Sequence, residues 1–380
     1  MRNCVILLTF LLSSIIFNNC EKSDDLFNTD FLNKLGKMNT DLFIIEYKSN
    51  QNELIITNDN QVLVYYDSYN SSKNKFITYL RKCDFNGQEL WEKKYEFNSS
   101  ARVGGVIQTS DGGFLMTGEY NYGDTWVKTY SFLLKTNENG DSLWCKTYLD
   151  GYLDKGIKAH QINYNEYILL SYTDLSKNLL LDFNAEGDTI FTKSLERGNC
   201  EPSCSDYCDF QIDNDGNYFF AGEYLAKFNI NLIPNWSKKI NGIGKSIVND
   251  QENNSLIFGH TGQYDSFDYF LCKYDNSGNI LWEKSYDYGQ NDFGEHIENT
   301  SDGGFVFIGS TEIADSNGNT KEIIKVVKVD KNGTVLWDRE YDFGTYNSNR
   351  GISIKEIGPN QYIILGISNF TTILFKISIN

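Results

Sequence analysis

Three histidines, His160, His260 and His296, are the side chains in this chain best suited to proton transfer near neutral pH. His296 stands in the run Glu295-His296-Ile297-Glu298, so a metal or acid–base site would form there if further groups converged on it. No supporting motif accompanies it, and an isolated histidine on a strand is ordinarily structural. A second cluster is Cys200-Glu-Pro-Ser-Cys204-Ser-Asp-Tyr-Cys208. With a fourth ligand, three such thiolates hold zinc or an iron–sulfur cluster, but the spacing matches no common metal motif. In an oxidising compartment a disulfide within Cys200, Cys204 and Cys208, with one thiol left over, is the preferred reading; free thiols are the third. Cys83, Cys145 and Cys272 read as small buried apolar residues. Asp213-Asn-Asp-Gly-Asn217 and Asp275-Asn-Ser-Gly-Asn279 resemble calcium loops in their first residues only, and read as turns. The remaining charged candidates are Arg102, Asp154, Asp206, Lys245, Asp292 and Arg350, which fall between strand patterns. Their mixed signs suit a polar ligand or a partner protein, or simply a solvated rim. Glycan hydrolysis would need two carboxylates at catalytic separation, drawn from Asp154, Asp292 and Glu295.

These residues are carried by a repeat. Ser110-Asp-Gly-Gly-Phe114-Leu-Met-Thr-Gly118 returns as Ser301-Asp-Gly-Gly-Phe305-Val-Phe-Ile-Gly309. Each leads to a tryptophan segment, Asn139-Gly-Asp-Ser-Leu-Trp144 or Asn332-Gly-Thr-Val-Leu-Trp337. Copies anchored at Val62, Phe114, Tyr167, Tyr218, Ser255, Phe305 and Tyr362 are spaced by 37 to 57 residues. All-strand units of that length predict a β-propeller: seven four-stranded antiparallel blades. In the sixth unit the strands, A to D from the axis outward, are expected at Gly294–Thr300, Phe305–Ser310, Ile323–Val329 and Val335–Tyr341. The short interval after the fourth copy compresses its middle hairpin around Leu225–Pro234. Trp91, Trp144, Phe191, Trp236 and Trp282 recur on the D strand and are expected to pack between neighbouring blades.

The seventh unit supplies strands A, B and C, and has no D strand before the last residue, Asn380. Leu42-Phe-Ile-Ile-Glu-Tyr47 matches the D pattern, so an N-terminal strand is expected to complete the last blade and close the ring. Ahead of it, Met1–Phe17 is a basic start and an apolar run too short for a confident membrane span, hence an export signal. The expected organisation is a signal over residues 1–19, an N-terminal tether over 20–38, and one propeller domain over 39–380. The tether has room for a short helix at Asp30–Gly36.

The chain has a formal net charge of -17, which argues against nucleic acid, since phosphate binding needs a basic face. It equally disfavours contact of the folded body with anionic lipid. Aromatic residues make up 15% of the chain, glycine is plentiful and proline scarce, a mix that suits short strands and tight turns.

The cysteine at the end of the apolar run, in Asn18-Asn19-Cys20-Glu-Lys-Ser-Asp-Asp25, resembles the signal of a bacterial lipoprotein. That resemblance implies lipidation of Cys20, and the acidic stretch after it resembles the tether of surface-exposed Bacteroidetes lipoproteins. The pattern Lys-x-Asp-x-x-Gly-x-x-Leu-Trp-x-Lys-x-Tyr, then Asp-Gly-Gly-Phe-x-x-x-Gly, resembles propeller repeats of exported Bacteroidetes proteins and of the quinoprotein-like superfamily. Quinone enzymes of that kind have eight blades and often a vicinal cysteine pair; this chain has seven copies and no adjacent cysteines.

The expected function is therefore a non-enzymatic binding or scaffolding module for protein or glycan, lipid-anchored to the outer membrane, without cofactor or metal. Its expected ligand face holds Arg102, Asp154, Lys245, Asp292, Glu295, His296 and Arg350. A polysaccharide- or peptidoglycan-active hydrolase or lyase is the alternative.

Overall fold

The computed structural model describes residues 40–41, 47–48, 53–121, 128–148, 154–173, 177–195, 209–261, 266–314, 318–343, 348–368 and 371–379. Cys20, the segments 1–19 and 20–38, Asp206, and the cluster Cys200, Cys204 and Cys208 lie outside the described residues.

Alternation of apolar and polar residues, punctuated by glycine turns, produces seven antiparallel sheets, six of them continuous in chain order from the inner to the outer strand. The sixth runs Asp292–Asn299, Phe305–Ala314, Thr320–Val329 and Val335–Tyr341, each expected strand found and three of them longer than expected. In the fourth blade the shortening lies between strands B (Tyr218–Ala221) and C (Tyr224–Phe228), joined by Gly222 and Glu223 alone. The segment expected to be compressed is instead strand C and an ordinary turn before Pro234–Lys239.

Ring closure takes the expected form. Thr40–Asp41 and Tyr47–Lys48 both pair antiparallel with Thr371–Ser378, placing Thr40 opposite Ile377 and Lys48 opposite Thr371. The N-terminal segment thus occupies the outer position of the seventh blade.

Two turn families define one rim of the ring, because the A–B and C–D connections both leave the sheets at the same end. Gly112 and Gly303 in the A–B turns take φ +82, a conformation open to glycine at no steric cost. The glycine that ends the Phe-x-x-x-Gly pattern has another cause. A Cβ on Gly309 would lie 2.2 Å from the Phe293 carbonyl oxygen of the paired inner strand.

Blades dock through the tryptophan motif, as expected. The Trp282 indole lies against Gly333 of the next blade, and the Tyr286 hydroxyl donates to the Gly333 carbonyl at 2.7 Å. Trp91 and Tyr95 meet Gly140 in the same way, and the Lys93 ammonium between them reaches Asp141 at 2.7 Å. Leu-Trp-x-Lys-x-Tyr is thus one docking unit: an indole on a glycine, an ammonium on a turn carboxylate, a hydroxyl on a carbonyl. The seam between blades three and four varies the scheme. Phe191 replaces tryptophan and is exposed, while Leu232 stands where the glycine would be, at φ +57, with its side chain buried in the core.

Candidate functional site

The inner strands of all seven blades surround a central cavity of about 260 Å³. Its charged lining comes from Glu53, Lys158, Asp209, Lys245, Glu295, Glu298 and Lys355, with His296 among them. Most of these charges answer one another. Lys158 Nζ lies 2.5 Å from Asp209 Oδ1, and Lys355 Nζ lies 2.5 Å from Glu298 Oε2. Between the two lysines stands Glu53, whose carboxyl is raised above its ordinary value by burial, against the pull of Lys158 and Lys355. Burial pulls the Lys158 ammonium down, but Asp209 and Glu53 carry it above the usual lysine value. An alternating belt of charge therefore links blades four, three, one, seven and six around the axis.

His296 is neutral at physiological pH: burial, then Lys355 and Lys158, hold its pKa well below the usual histidine value. Its Nδ1 accepts a long contact of 3.5 Å from the Ile354 amide, which leaves the ring proton on Nε2. Ser353, also lining the cavity, is buried with its hydroxyl unpartnered. The arrangement can bind small polar groups.

Of the seven residues expected on a ligand face, Lys245, Glu295 and His296 line this cavity. Arg350 joins them indirectly, through a guanidinium contact of 2.8 Å to Glu295. The other three stand elsewhere. Arg102 stacks over the Phe76 ring at 4.3 Å and faces Glu119, beside a separate cavity of about 220 Å³. Asp154 and Asp292 were expected in loops but are the first residues of inner strands, and both are buried rather than on a solvated rim. The Asp292 carboxylate accepts from Thr311 Oγ1 at 2.6 Å and the Tyr288 amide at 2.8 Å, so it serves the scaffold. Burial, with Asp287 and Asp268 adding to it, raises Asp292 to about 6. Asp268, Asp287 and Asp292 bring carboxylate oxygens within 4.8 Å of one another. Asp154 and Asp292 belong to blades three and six, and neither borders the cavity that Glu295 lines.

His160 does not border the cavity either; it bonds the Phe210 carbonyl at 2.9 Å and packs on the Phe210 ring. Cys83 and Cys272 are buried as expected, whereas Cys145 is exposed, because it lies on an outer strand. The Asp213 and Asp275 segments are turns: each aspartate accepts from the amides two and four residues on.

Sequence reasoning singled out Glu298 beside His296 but missed the belt residues Glu53, Lys158, Asp209 and Lys355. Their signal was partial, since charged residues in the middle of an innermost strand can face the axis. It also missed the role of the repeated lysine in Lys-x-Asp. Lys135 reaches Asp111 at 2.8 Å, Lys273 reaches Asp250 at 2.6 Å, and Lys328 reaches Asp302 at 3.0 Å, each ammonium buried under the A–B turn of its own blade.

No protein-family model matches the chain, and no curated protein matches it. Solved structures do. YCF48 from Cyanidioschyzon merolae is 11% identical, with a TM-score of 0.51 over 89% of this chain and 96% of that one. A protein of unknown function from Bacteroides caccae is 15% identical, with a TM-score of 0.45 over 79% of this chain and 98% of that one. BamB from Moraxella catarrhalis is 8% identical, with a TM-score of 0.41 over 87% of this chain and 99% of that one. At these identities the likeness is one of fold.

Proposed function

We propose that this protein is an exported lipoprotein whose seven-bladed ring binds or scaffolds a protein partner rather than catalysing a reaction. The observation that carries the reading is a belt of exposed apolar side chains on the turn rim. Leu90, Leu143, Ile190, Leu281 and Leu336 occupy equivalent outer-strand positions on five blades and are each more than half exposed. Among the described residues, every exposed large hydrophobic except Tyr69 lies on this rim. Exposed apolar surface bordered by polar groups marks interaction sites, and here the borders are acidic turns such as Asp141, Asp188, Asp275 and Asp330. The fitting partner presents aliphatic side chains among lysines and arginines.

In this reading residues 1–19 are the signal, Cys20 carries the lipid, residues 20–38 are the tether, and the Cys200 cluster forms a disulfide with one thiol left over. Thr40 joins the ring at the apolar rim, so the anchor would hold that rim toward the outer membrane. The central cavity, with Lys245, Glu295 and His296, is a secondary polar site on the same module.

Crosslinking in intact cells, followed by recovery of the chain with its own signal and Cys20, tests the proposal. The expected result is a stoichiometric protein partner that is lost when Leu281 and Leu336 are both changed to serine. Recovery of the protein alone, or with glycan only, would overturn the reading and move weight to carbohydrate binding or hydrolysis.

A further inference from the structure

The repeat places a buried ammonium near the end of strand C in five blades: Lys82, Lys135, Lys227, Lys273 and Lys328. Each faces the aspartate of its own A–B turn, at 2.6 to 3.7 Å. The third blade breaks the pattern at both ends. Its residue at the lysine position is Asp182, and its A–B turn, Asn163-Tyr164-Asn165, has no aspartate. Glu166 follows that turn, on the same face of the sheet as Asp182: Glu166 pairs with Asn184 and Ile168 with Asp182, so the two carboxyls are diagonal neighbours. They lie within hydrogen-bonding reach of each other.

Asp182 is 3% exposed, and its Oδ1 has no hydrogen-bond partner. Glu166 is held in place by the Asn163 amide, which donates to its Oε2 at 2.6 Å. Tyr218 of the fourth blade comes close enough for both carboxyls to act on its hydroxyl. Where five blades set one buried lysine against one turn aspartate, this seam gathers two carboxyls and no cation of its own strand C. A buried carboxylate without a countercharge is costly, and the internal repeats show what normally sits there: a cation.

We propose that the seam between blades three and four is a binding site for a divalent cation of the calcium type, ligated by Asp182 and Glu166. Two carboxylates neutralise such an ion, and an all-oxygen donor set suits a hard cation. With water completing the shell, affinity belongs in the range of extracellular modules, on the order of 0.1–1 mM. The bound ion does for the third blade what the lysine does for the others. The inference is independent of which partner the rim binds.

The test is thermal unfolding of the full exported protein, stripped with chelator and titrated with calcium chloride. The unfolding midpoint is expected to climb and saturate at millimolar calcium. Glu166→Gln should weaken the response at least tenfold. Asp182→Lys, which restores the lysine of the other blades, should raise the calcium-free midpoint and abolish the response. Should that variant not fold, terbium luminescence decides: emission sensitised through tyrosine must fall in Tyr218→Phe and in Glu166→Gln. No calcium response in the wild type overturns the proposal, leaving two carboxyls that share a proton. A response unchanged in Glu166→Gln and Asp182→Lys also overturns it, and would direct attention to Asp268, Asp287 and Asp292.

Discussion

At the scale of single residues, this protein uses buried polar side chains to hold its blades together. Asp67 illustrates how. It is 4% exposed, accepts from Thr78 Oγ1 at 2.7 Å within the first blade, and accepts from the Val103 amide at 3.0 Å in the second. Burial raises its carboxyl to about 7, while the two hydrogen bonds and Arg102 work against that rise. A carboxyl raised on folding keeps its proton in the native state over a range where the unfolded chain has lost it. The native state is therefore favoured at low pH and loses stability as pH climbs from about 4 to about 7. The expected loss across that window is on the order of 2–4 kcal/mol, less if Arg102 draws closer. Asp67→Asn preserves both contacts by presenting its oxygen to Val103 and its amide to Thr78. Urea melts of the variant from pH 5 to 8 should show a flatter stability profile than the wild type. An unchanged profile would mean that Asp67 is ionised throughout.

Elements repeat more faithfully than the sequence does, because neighbouring blades impose the same geometry on each. Gly333 is held at φ +75 with its missing Cβ 3.0 Å from the Trp282 ring and the Lys284 stem. Gly333→Ala adds left-handed strain and displaces the indole, a cost of about 1–3 kcal/mol readable as a lower unfolding midpoint. Gly303→Ala, at φ +82 but with nothing near its Cβ, should cost the strain alone. The difference between the two variants measures the inter-blade dock. Strand positions were legible from the sequence because alternation and glycine turns are local signals. Trp282 and Gly333 were legible separately, the one as packing and the other as a turn, but not as partners, since they belong to different blades. The site was less legible for the same reason. Glu295 and His296 are near neighbours in the chain, whereas Lys158, Asp209 and Glu53 come from three different blades. Asp154 and Asp292 were misplaced because a charged residue after a loop resembles a rim residue until the first ladder bond of its strand is known.

For the molecule as a whole, the seam is the pairing of Thr40–Asp41 and Tyr47–Lys48 with Thr371–Ser378. Without it, the last strand, rich in Ile373, Leu374 and Phe375, becomes an open edge. Beginning the chain at residue 49 is expected to lower the unfolding midpoint and promote concentration-dependent association, because an unpaired apolar strand recruits another. Light scattering during a thermal ramp reads this; a monomeric and equally stable truncation would show that the ring closes by another route.

The seam also sets an order of events in time. Thr40 and Ile377 are paired yet almost a whole chain apart, so the first strand to be synthesised waits for the last before it finds its partner. Long-range pairing of this kind makes folding slow, since the entropy of the intervening loop is lost before the contact rewards it. Each preceding blade forms from consecutive segments and can accumulate in sequence, but the circle exists only after the final residues arrive. A nascent chain halted short of Thr371 is thus a row of blades with two reactive ends, and the protein's exposure to proteases and chaperones is concentrated in that interval.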